Sequence, residues 1–265
     1  MSAAPASYDP HVRVETEGHV TTVIIDRPEA KNACTGDMWV AIGATFRDLA
    51  HSGTRAIILT GAGGDFCAGA DLSGGGSAEP SGHILHAMRV LGDVVLAVHD
   101  CPVPVVAKVD GVCVGAGLGL ALAADMIWCS DRARLSAIFA KRGLSLDFGT
   151  SWLLRQRIGV HRAKEIAFTG RMLGAPEAVA LGIVNAVVPA DQLDIATGEI
   201  AGAIAAGPPL ALSMTKRELN NAAHTSLAQA LEAEALAQSL NAQTADLTEA
   251  LMAYAERRPA KFDGR

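Results

Sequence analysis

Two glycine-rich turns carry the residues of this sequence that are best suited to chemistry. Residues 62–72 read Ala-Gly-Gly-Asp-Phe-Cys-Ala-Gly-Ala-Asp-Leu, and residues 110–120 read Asp-Gly-Val-Cys-Val-Gly-Ala-Gly-Leu-Gly-Leu. Each turn follows a run of residues typical of a β-strand, and small residues let a ligand approach the bare backbone. Two such turns can direct two main-chain N–H groups at one oxygen, which stabilises a developing enolate or oxyanion.

The glycine spacing argues against other glycine-rich sites. A dinucleotide-binding G-x-G-x-x-G motif fails because Phe66 and Leu120 stand where its third glycine belongs. Neither a G-x-S-x-G nucleophile elbow nor a phosphate-binding G-x-x-x-x-G-K motif occurs in the sequence. Tight turns in a packed core remain the simpler alternative for either turn taken alone.

Composition narrows the class of protein. Half of the 265 residues are hydrophobic and 19% are charged, which is ample for a core, and the net charge of −6 disfavours nucleic acid as a partner. The five cysteines form no CxxC pair and show no metal-ligand spacing, so reduced thiols, no metal and a cytoplasmic location are expected. The sequence contains no charge-free apolar run of about 18 residues, so no membrane span is predicted. Residues 1–10 do not resemble a signal peptide.

Hydrophobic periodicity predicts alternating strands and helices, hence a layered α/β core. Apolar stripes on the last helices, such as Leu227, Leu231 and Ala235, require a partner in the core or in another subunit. The loop at 62–80 includes a glycine run at 74–76 that is expected to be mobile. Strands are predicted at 11–17, 20–27, 55–61, 103–109, 126–130 and 183–188, and helices at 35–51, 81–99, 116–124, 151–158, 161–169, 176–182, 191–206, 208–221, 225–240 and 244–257.

Five segments, in order along nearly the whole chain, resemble the crotonase superfamily, also called the enoyl-CoA hydratase/isomerase family. They are residues 27–33 (Arg-Pro-Glu-Ala-Lys-Asn-Ala), 67–72, 115–125, 170–188 and 256–262. The resemblance implies an α/β spiral of ββα units followed by helices used in trimer formation. It divides the chain into an acyl-CoA-binding core, residues 1–195, and a helical oligomerisation region, residues 196–265. It also implies a homotrimer or a hexamer built from two trimers.

The resemblance further implies an acyl-CoA thioester as substrate, with coenzyme A as part of that substrate and no separate cofactor. The thioester carbonyl would lie between the N–H groups of Ala70 and Ala116, the second of which is commonly glycine in the family. Lys31 is expected near the adenine or phosphates of CoA, and a C-terminal tail is expected to cover the nucleotide, sometimes that of a neighbouring subunit. The full set of expected substrate or CoA contacts is Lys31, Ala68, Gly69, Asp71, Leu72, Gly115, Gly119, Phe139, Lys261 and Phe262.

Both glutamates that family hydratases use to hold and activate water are missing here. Gly119 stands at the first position and Phe139 at the second, and no acidic residue occurs between Asp131 and Asp147. Each positioned acid or base typically contributes about 10²- to 10⁴-fold in rate. The sequence therefore predicts little hydration activity.

Asp147 is the remaining carboxylate in a suggestive position, because residues 143–151 resemble a loop in which some family isomerases carry an essential aspartate. Leu146 and Phe148 flank it, so burial is expected to raise its pKa and make it a better base near neutral pH. We predict that Asp147 shifts a proton between two carbons of an unsaturated acyl-CoA. Four alternatives stay open at this point: a helix cap near Gly149, a nucleophile as in family hydrolases or dehalogenases, an epoxide or ring isomerisation, and a non-catalytic acyl-CoA-binding protein.

Overall fold

The first described element is the predicted hairpin. In the computed structural model, which we describe for residues 8–73 and 83–265, Val12–Glu17 pairs antiparallel with Val20–Ile25 across a turn at Gly18. Gly18 has a φ of +59°, a conformation that glycine adopts without strain. The predicted mobile run at 74–76 and the start of the helix predicted at 81 lie outside the described residues.

A six-stranded sheet forms the centre of the molecule. Its strands are β1 (Val12–Glu17), β2 (Val20–Ile25), β3 (Ala56–Gly61), β4 (Val105–Val109), β6 (Met126–Ser130) and β9 (Ala186–Val188). They lie in the order β1-β2-β3-β4-β6-β9, and only β1 runs antiparallel to its neighbour. Strand β2 begins the parallel succession, in which Val23 is paired with Leu59 and Leu59 with Ala107.

A second, three-stranded sheet was not predicted. It joins β5 (Val112–Val114), β7 (Arg134–Ser136) and β8 (Leu173–Gly174) in that order. Two or three residues are too few to show a period of two, so alternation could not reveal these strands. The last strand of the main sheet is also shorter than predicted, because the N–H groups of Ile183 and Val184 bond to Ala178 in the turn after a helix.

Helices surround the sheet. Thr35 caps the first, as predicted, since its hydroxyl accepts a hydrogen bond from the Met38 N–H at 3.3 Å. The two helices predicted around Gly159 form one element whose backbone leaves the helical conformation at that glycine, with φ +75°. The described α-helices are α1 (Gly36–Leu49), α2 (Ile84–His99), α3 (Ala116–Ala123), α4 (Thr150–Thr169), α5 (Ala175–Leu181), α6 (Leu193–Ala205), α7 (Pro209–Ala222), α8 (Leu227–Asn241) and α9 (Ala245–Glu256).

The C-terminal helices differ in how they pack. Helix α6 packs Ala201 and Ala205 against Ala56 and Ile58 of β3, so residue 195, the predicted domain boundary, lies within a helix that covers the sheet. Helix α8 buries none of its residues. Among the described residues no single helix is long and apolar enough to cross a membrane, and one helix pair, 190–205 with 209–222, reaches that length only with a bend of 106°.

The carboxyl ends of the parallel strands meet at one edge of the main sheet. The chain leaves β3 at Gly61 and β4 at Val109, and both glycine-rich turns follow these ends directly. In open α/β sheets, ligands bind beyond the carboxyl ends of the strands. The fold therefore brings the two turns to the edge at which a ligand is expected.

Candidate active site

The two glycine-rich turns are hydrogen-bonded to each other. The Phe66 N–H donates to the Asp110 carbonyl at 2.8 Å, and the Cys67 N–H donates to the Val112 carbonyl at 2.9 Å. In return, the Val114 N–H donates to the Cys67 carbonyl at 3.0 Å. These bonds fix the two turns side by side, so a group on one has a defined position relative to the other.

The N–H groups of Ala70 and Ala116 lie on adjoining stretches of backbone. A Cβ atom built on Gly69 would lie 3.4 Å from the Ala116 nitrogen and 3.0 Å from the Val114 carbonyl oxygen. Only glycine fits there, the more so because Gly69 has a φ of +94°. Neither the Ala70 nor the Ala116 N–H donates a hydrogen bond to a described residue. Two main-chain donors without a partner among the described residues therefore lie on adjoining turns.

The N-terminus of helix α3 favours negative charge near the Ala116 N–H. The helix begins at Ala116, after Gly115 in an unusual conformation with φ +58° and ψ −127°, and every one of its residues is buried. The first N–H groups of a helix have no partner within the helix, and its N-terminus carries a partial positive charge. The Ala116 N–H is therefore both available and placed where negative charge is stabilised.

Gly119, one turn further along α3, has no room for a side chain. A Cβ atom there would lie 2.4 Å from the Phe148 carbonyl oxygen and 2.9 Å from the Thr150 hydroxyl oxygen. The loop before α4 thus fills the space in which a glutamate at this position would extend. Gly119 is therefore a packing position, and a side chain there would require the neighbouring backbone at Phe148 to move.

We expect Gly119→Glu to destabilise the fold and to create no hydratase. Overpacking of a buried site typically costs about 1–3 kcal/mol, and here the obstruction includes backbone. Thermal unfolding should show a melting temperature several degrees below that of the wild type, with Gly92→Glu as the matched control, because a Cβ atom on Gly92 of α2 contacts nothing within 4 Å. A folded Gly119→Glu variant that hydrates enoyl-CoA would contradict this interpretation.

Asp147 does not cap helix α4. The capping residue is Gly149, no side chain caps the helix, and only the Asp147 carbonyl accepts a bond, from the Thr150 N–H at 3.0 Å. The Oδ1 atom of Asp147 is buried and has no hydrogen-bond partner in the described structure. Burial raises the pKa of the Asp147 carboxyl. The Asp147 Oδ1 atom therefore has no hydrogen bond within the protein that would compete with a role as general base.

Phe148 fixes the backbone next to Asp147. Its φ of +51° is uncommon for a residue with a side chain, and its ring packs on Trp39 with 4.5 Å between centroids. A strained conformation persists only where surrounding packing enforces it, and such residues cluster at functional sites. Asp147 is thereby held on a rigid loop.

Thr150, at the start of α4, is a residue that sequence reasoning did not single out. Its hydroxyl is buried, has no hydrogen-bond partner in the described structure, and lies toward Gly119, as does the Phe148 carbonyl. Buried polar atoms are normally satisfied, so the Asp147 and Thr150 oxygens are two exceptions on the segment that packs against Gly119. No motif in the sequence identifies such an atom.

The other predicted contacts at this edge take different positions. Ala68 donates its N–H to the carbonyl of Lys31, which ties Lys31 to the first turn. The Lys31 side chain is exposed, as is that of Leu72, whereas Phe139 is buried in a short 3₁₀ helix, Ile138–Arg142. The roles of these residues toward a substrate stay predictions.

Asp71 is engaged by protein groups. Its Oδ1 accepts hydrogen bonds from the N–H and hydroxyl of Ser73, and its Oδ2 forms an ion pair with Arg27 at 2.6 Å. The bonds from Ser73 first, and then the guanidinium of Arg27, lower the pKa of this carboxyl. Both oxygens therefore hold the loop, which assigns Asp71 to the architecture of the turn.

Lys261 and Phe262 lie away from these residues. The Phe262 carbonyl accepts a bond from Arg55, which precedes β3, whereas the first turn follows the other end of that strand. Six residues of strand span roughly 20 Å. The tail of a chain therefore lies at the opposite sheet edge from its own Ala70, and a role over CoA would involve the site of another copy.

A cavity of about 500 Å³ also lies at that opposite edge. Its lining includes Pro104 and Asp125, which precede β4 and β6, together with Lys216 of α7, which pairs with Asp125 at 2.8 Å. Within the described residues no group of three or more His, Cys, Asp or Glu side chains is arranged to hold a metal ion.

Comparison with known proteins shows the family to which this chain belongs. The family model described as enoyl-CoA hydratase/isomerase matches residues 15–265. The chain is 34% identical to a probable enoyl-CoA hydratase of Rhodobacter capsulatus, over 96% of this chain and 98% of that protein. It is 31% identical to the 1,2-epoxyphenylacetyl-CoA isomerase of Escherichia coli K12, over 94% and 97%.

Solved structures of proteins named as enoyl-CoA hydratases have the same fold as this chain. An enoyl-CoA hydratase of Bacillus anthracis superposes with a TM-score of 0.91 at 30% identity, covering 96% of this chain and all of that one. A Thermobifida fusca YX protein solved in complex with CoA superposes with a TM-score of 0.80 at 27% identity, covering 90% and 96%. The chain belongs to the enoyl-CoA hydratase/isomerase family and has the crotonase fold, as its sequence motifs predicted.

Proposed function

We propose that this protein is an acyl-CoA isomerase that moves a carbon–carbon double bond. The observation that carries the proposal is the buried, unpartnered Oδ1 of Asp147 on a loop that packs against α3, the helix whose first N–H is that of Ala116. Acyl-CoA as substrate is supported by the family and by the relative solved with CoA. The thioester oxygen would accept hydrogen bonds from the Ala70 and Ala116 N–H groups.

The reaction needs one base and one oxyanion site. Asp147 takes a proton from C2 of a 3-enoyl-CoA, and the electron pair of that C–H bond delocalises onto the thioester oxygen as a dienolate. The Asp147 carboxylic acid then returns the proton to C4, which leaves the double bond between C2 and C3. The Ala70 and Ala116 N–H groups stabilise the negative charge as it develops, and no oxidant or reductant is consumed.

Hydration is disfavoured because it needs a held and activated water. Gly119 has no space for a side chain, and Phe139 stands at the second glutamate position. The relatives carry both hydratase and isomerase names, so their names alone do not decide between the two reactions.

The test uses the pure protein with a 3-enoyl-CoA of four to ten carbons, while the conjugated 2-enoyl-CoA is followed by its ultraviolet absorbance. We expect its appearance to depend on enzyme concentration and no comparable hydration when 2-enoyl-CoA is supplied. Tight binding without a spectral change for any chain length would contradict isomerisation and favour a non-catalytic acyl-CoA-binding protein.

A ring or epoxide isomerisation is the second candidate. The observation that favours it is the 31% identity to a 1,2-epoxyphenylacetyl-CoA isomerase over nearly the full length of both chains. The same base and oxyanion site serve such a reaction, and parallel assays with an epoxide-bearing aromatic acyl-CoA distinguish the two substrates.

We also propose a trimer or a dimer of trimers located in the cytoplasm. The assembly is supported by α8, which buries none of its residues within one chain. Its apolar side chains Leu227 and Leu236 are 77% and 61% exposed. Leucines of this kind along a helix need a partner surface.

Light scattering should therefore give a native mass of three or six times 27.3 kDa. Leu231→Asp on α8 is expected to shift the population toward monomers, because a buried carboxylate without a partner is unfavourable in an interface. Leu231→Met keeps the apolar surface and serves as the matched control. A monomeric wild-type protein at micromolar concentration would overturn the assembly proposal.

A further inference from the structure

The segment of residues 27–34, which precedes α1, forms hydrogen bonds to both the start and the end of the first glycine-rich turn. Asn32 is fully buried, and its side-chain amide donates to the carbonyls of Ala62 at 2.8 Å and Asp65 at 2.6 Å. Its Oδ1 accepts the Arg27 N–H at 2.9 Å. The start of the turn is therefore fixed by one buried side chain.

The end of the turn is fixed around Ala70. The Cys34 N–H donates to the Gly69 carbonyl at 2.9 Å, and the Asp71 N–H donates to the Cys34 carbonyl at 2.9 Å. These two bonds leave the Ala70 N–H pointing away from Cys34, on the side without a partner. The Gly69 carbonyl and the Ala70 N–H belong to the same peptide unit, so the bond from Cys34 holds that unit directly.

One ion pair joins the beginning of segment 27–34 to the end of the first glycine-rich turn. The Arg27 Nη1 donates to the Asp71 Oδ2 at 2.6 Å and to the Ala33 carbonyl at 3.0 Å. The side chains are 21% and 13% exposed, so solvent screens the pair less than it screens a surface pair. Asp71 immediately follows Ala70, and a shift of its backbone would turn the Ala70 N–H.

We propose that Arg27 and Asp71 are positioning residues that orient the Ala70 N–H toward the thioester oxygen. This inference rests on the proposed function, since it assumes that Ala70 contributes to an oxyanion site. Their proposed role is indirect, because both Asp71 oxygens are bonded to Ser73 and Arg27. An oxyanion donor is effective only when its direction is fixed before the reaction, and misplacement by about 1 Å can lower a rate about 100-fold.

The test combines steady-state kinetics with the infrared carbonyl stretch of bound butanoyl-CoA, which lacks a double bond to move. In the wild-type protein, hydrogen bonds from Ala70 and Ala116 should lower the stretching frequency relative to free butanoyl-CoA. Asp71→Asn and Arg27→Gln should each lose part of that shift and lower kcat by about 10- to 100-fold with little change in KM. The double variant should be no worse than the more affected single variant.

Two comparisons separate positioning from general structural damage. Arg171→Gln removes the ion pairs of another arginine, those with Glu165 and Glu177, and should leave both kcat and the carbonyl shift at wild-type values. Arg27→Lys should recover part of the shift because it keeps the charge. Thermal unfolding of each variant identifies loss of fold, and the near-isosteric Asp71→Asn provides the decisive variant if Arg27→Gln does not fold.

Three results would overturn the proposal. The first is an unchanged carbonyl shift and kcat in Asp71→Asn. The second is a raised KM with unchanged kcat, which would assign Arg27 to binding CoA. The third is a wild-type protein that does not shift the carbonyl at all, since no oxyanion site would then exist. A wild-type shift without isomerisation would instead refute the proposed reaction and leave the positioning test intact.

Discussion

Replacing Asp147 with asparagine is expected to lower kcat for double-bond isomerisation by about 10²- to 10⁴-fold. Asparagine has nearly the same shape but cannot accept a proton at neutral pH, so substrate binding should change little and KM should stay close to that of the wild type. The measurement is the ultraviolet absorbance of conjugated product formed from a 3-enoyl-CoA. Asp191→Asn, which alters an exposed carboxylate in the short 3₁₀ helix before α6, is the matched control.

The pH dependence gives an independent readout of the same group. Because burial raises the pKa of Asp147, the rate should rise with pH through a pKa above that of an exposed aspartate, about 3.9. Since the folded-state pKa exceeds the unfolded one, the stability of the wild type decreases as pH rises through that interval. Asp147→Asn should therefore unfold at a higher temperature than the wild type at pH 7, and this advantage should shrink below about pH 4.

Full turnover by Asp147→Asn would remove this residue from the mechanism. A covalent adduct on Asp147, detected as an added mass after incubation with substrate, would identify it as a nucleophile and favour a hydrolase or dehalogenase type of reaction. An unchanged melting temperature at pH 7 would contradict the desolvation of its carboxylate.

Ala116→Pro is expected to lower kcat by about 10²- to 10³-fold, because it deletes one of the two oxyanion donors. Proline is well tolerated at the first position of a helix, and the Ala116 N–H donates no bond to a described residue that the fold would lose. The proline ring would also occupy the space at which the thioester oxygen is expected. The loss should therefore appear in turnover more than in thermal stability.

Ala116→Gly is the matched comparison, because it keeps the N–H and restores the residue common in the family. Its rate should lie far closer to the wild type than that of Ala116→Pro. Equal rates for the proline variant and the wild type, with both folded, would show that the Ala116 N–H does not stabilise the transition state.

Much of the fold was predictable because its elements are long or are bounded by turn, cap and break residues. The hairpin at Gly18, the helix capped by Thr35 and the break at Gly159 each follow from local chemistry. The two glycine-rich turns were also placed correctly, since each follows a buried parallel strand and such strands end at one edge. The order of the family motifs then gave the overall architecture.

Other features depend on tertiary contacts that no local pattern encodes. The second sheet joins strands of two or three residues from distant parts of the chain. The crowding at Gly119 arises from Phe148, 29 positions away, and the unpartnered Thr150 hydroxyl is visible only in three dimensions. The sequence likewise offered a helix cap as one role for Asp147, whereas the structure assigns that position to Gly149.

The pairing of Arg27 with Asp71 shows the same limit. Residues 27–33 were recognised as a family motif, but only Lys31 received a role, because a contact across 44 positions cannot be read from spacing. The structure shows that this motif supports the first turn through Asn32 and Arg27.

The most direct test of the proposed chemistry is a crystal structure with a bound, non-reacting acyl-CoA. The thioester oxygen should lie about 2.7–3.1 Å from both the Ala70 and the Ala116 nitrogens, with the Asp147 carboxylate facing C2 of the acyl chain. A thioester oxygen bound elsewhere, or either N–H donating to another part of the protein in that complex, would contradict the oxyanion site on which the proposed function depends.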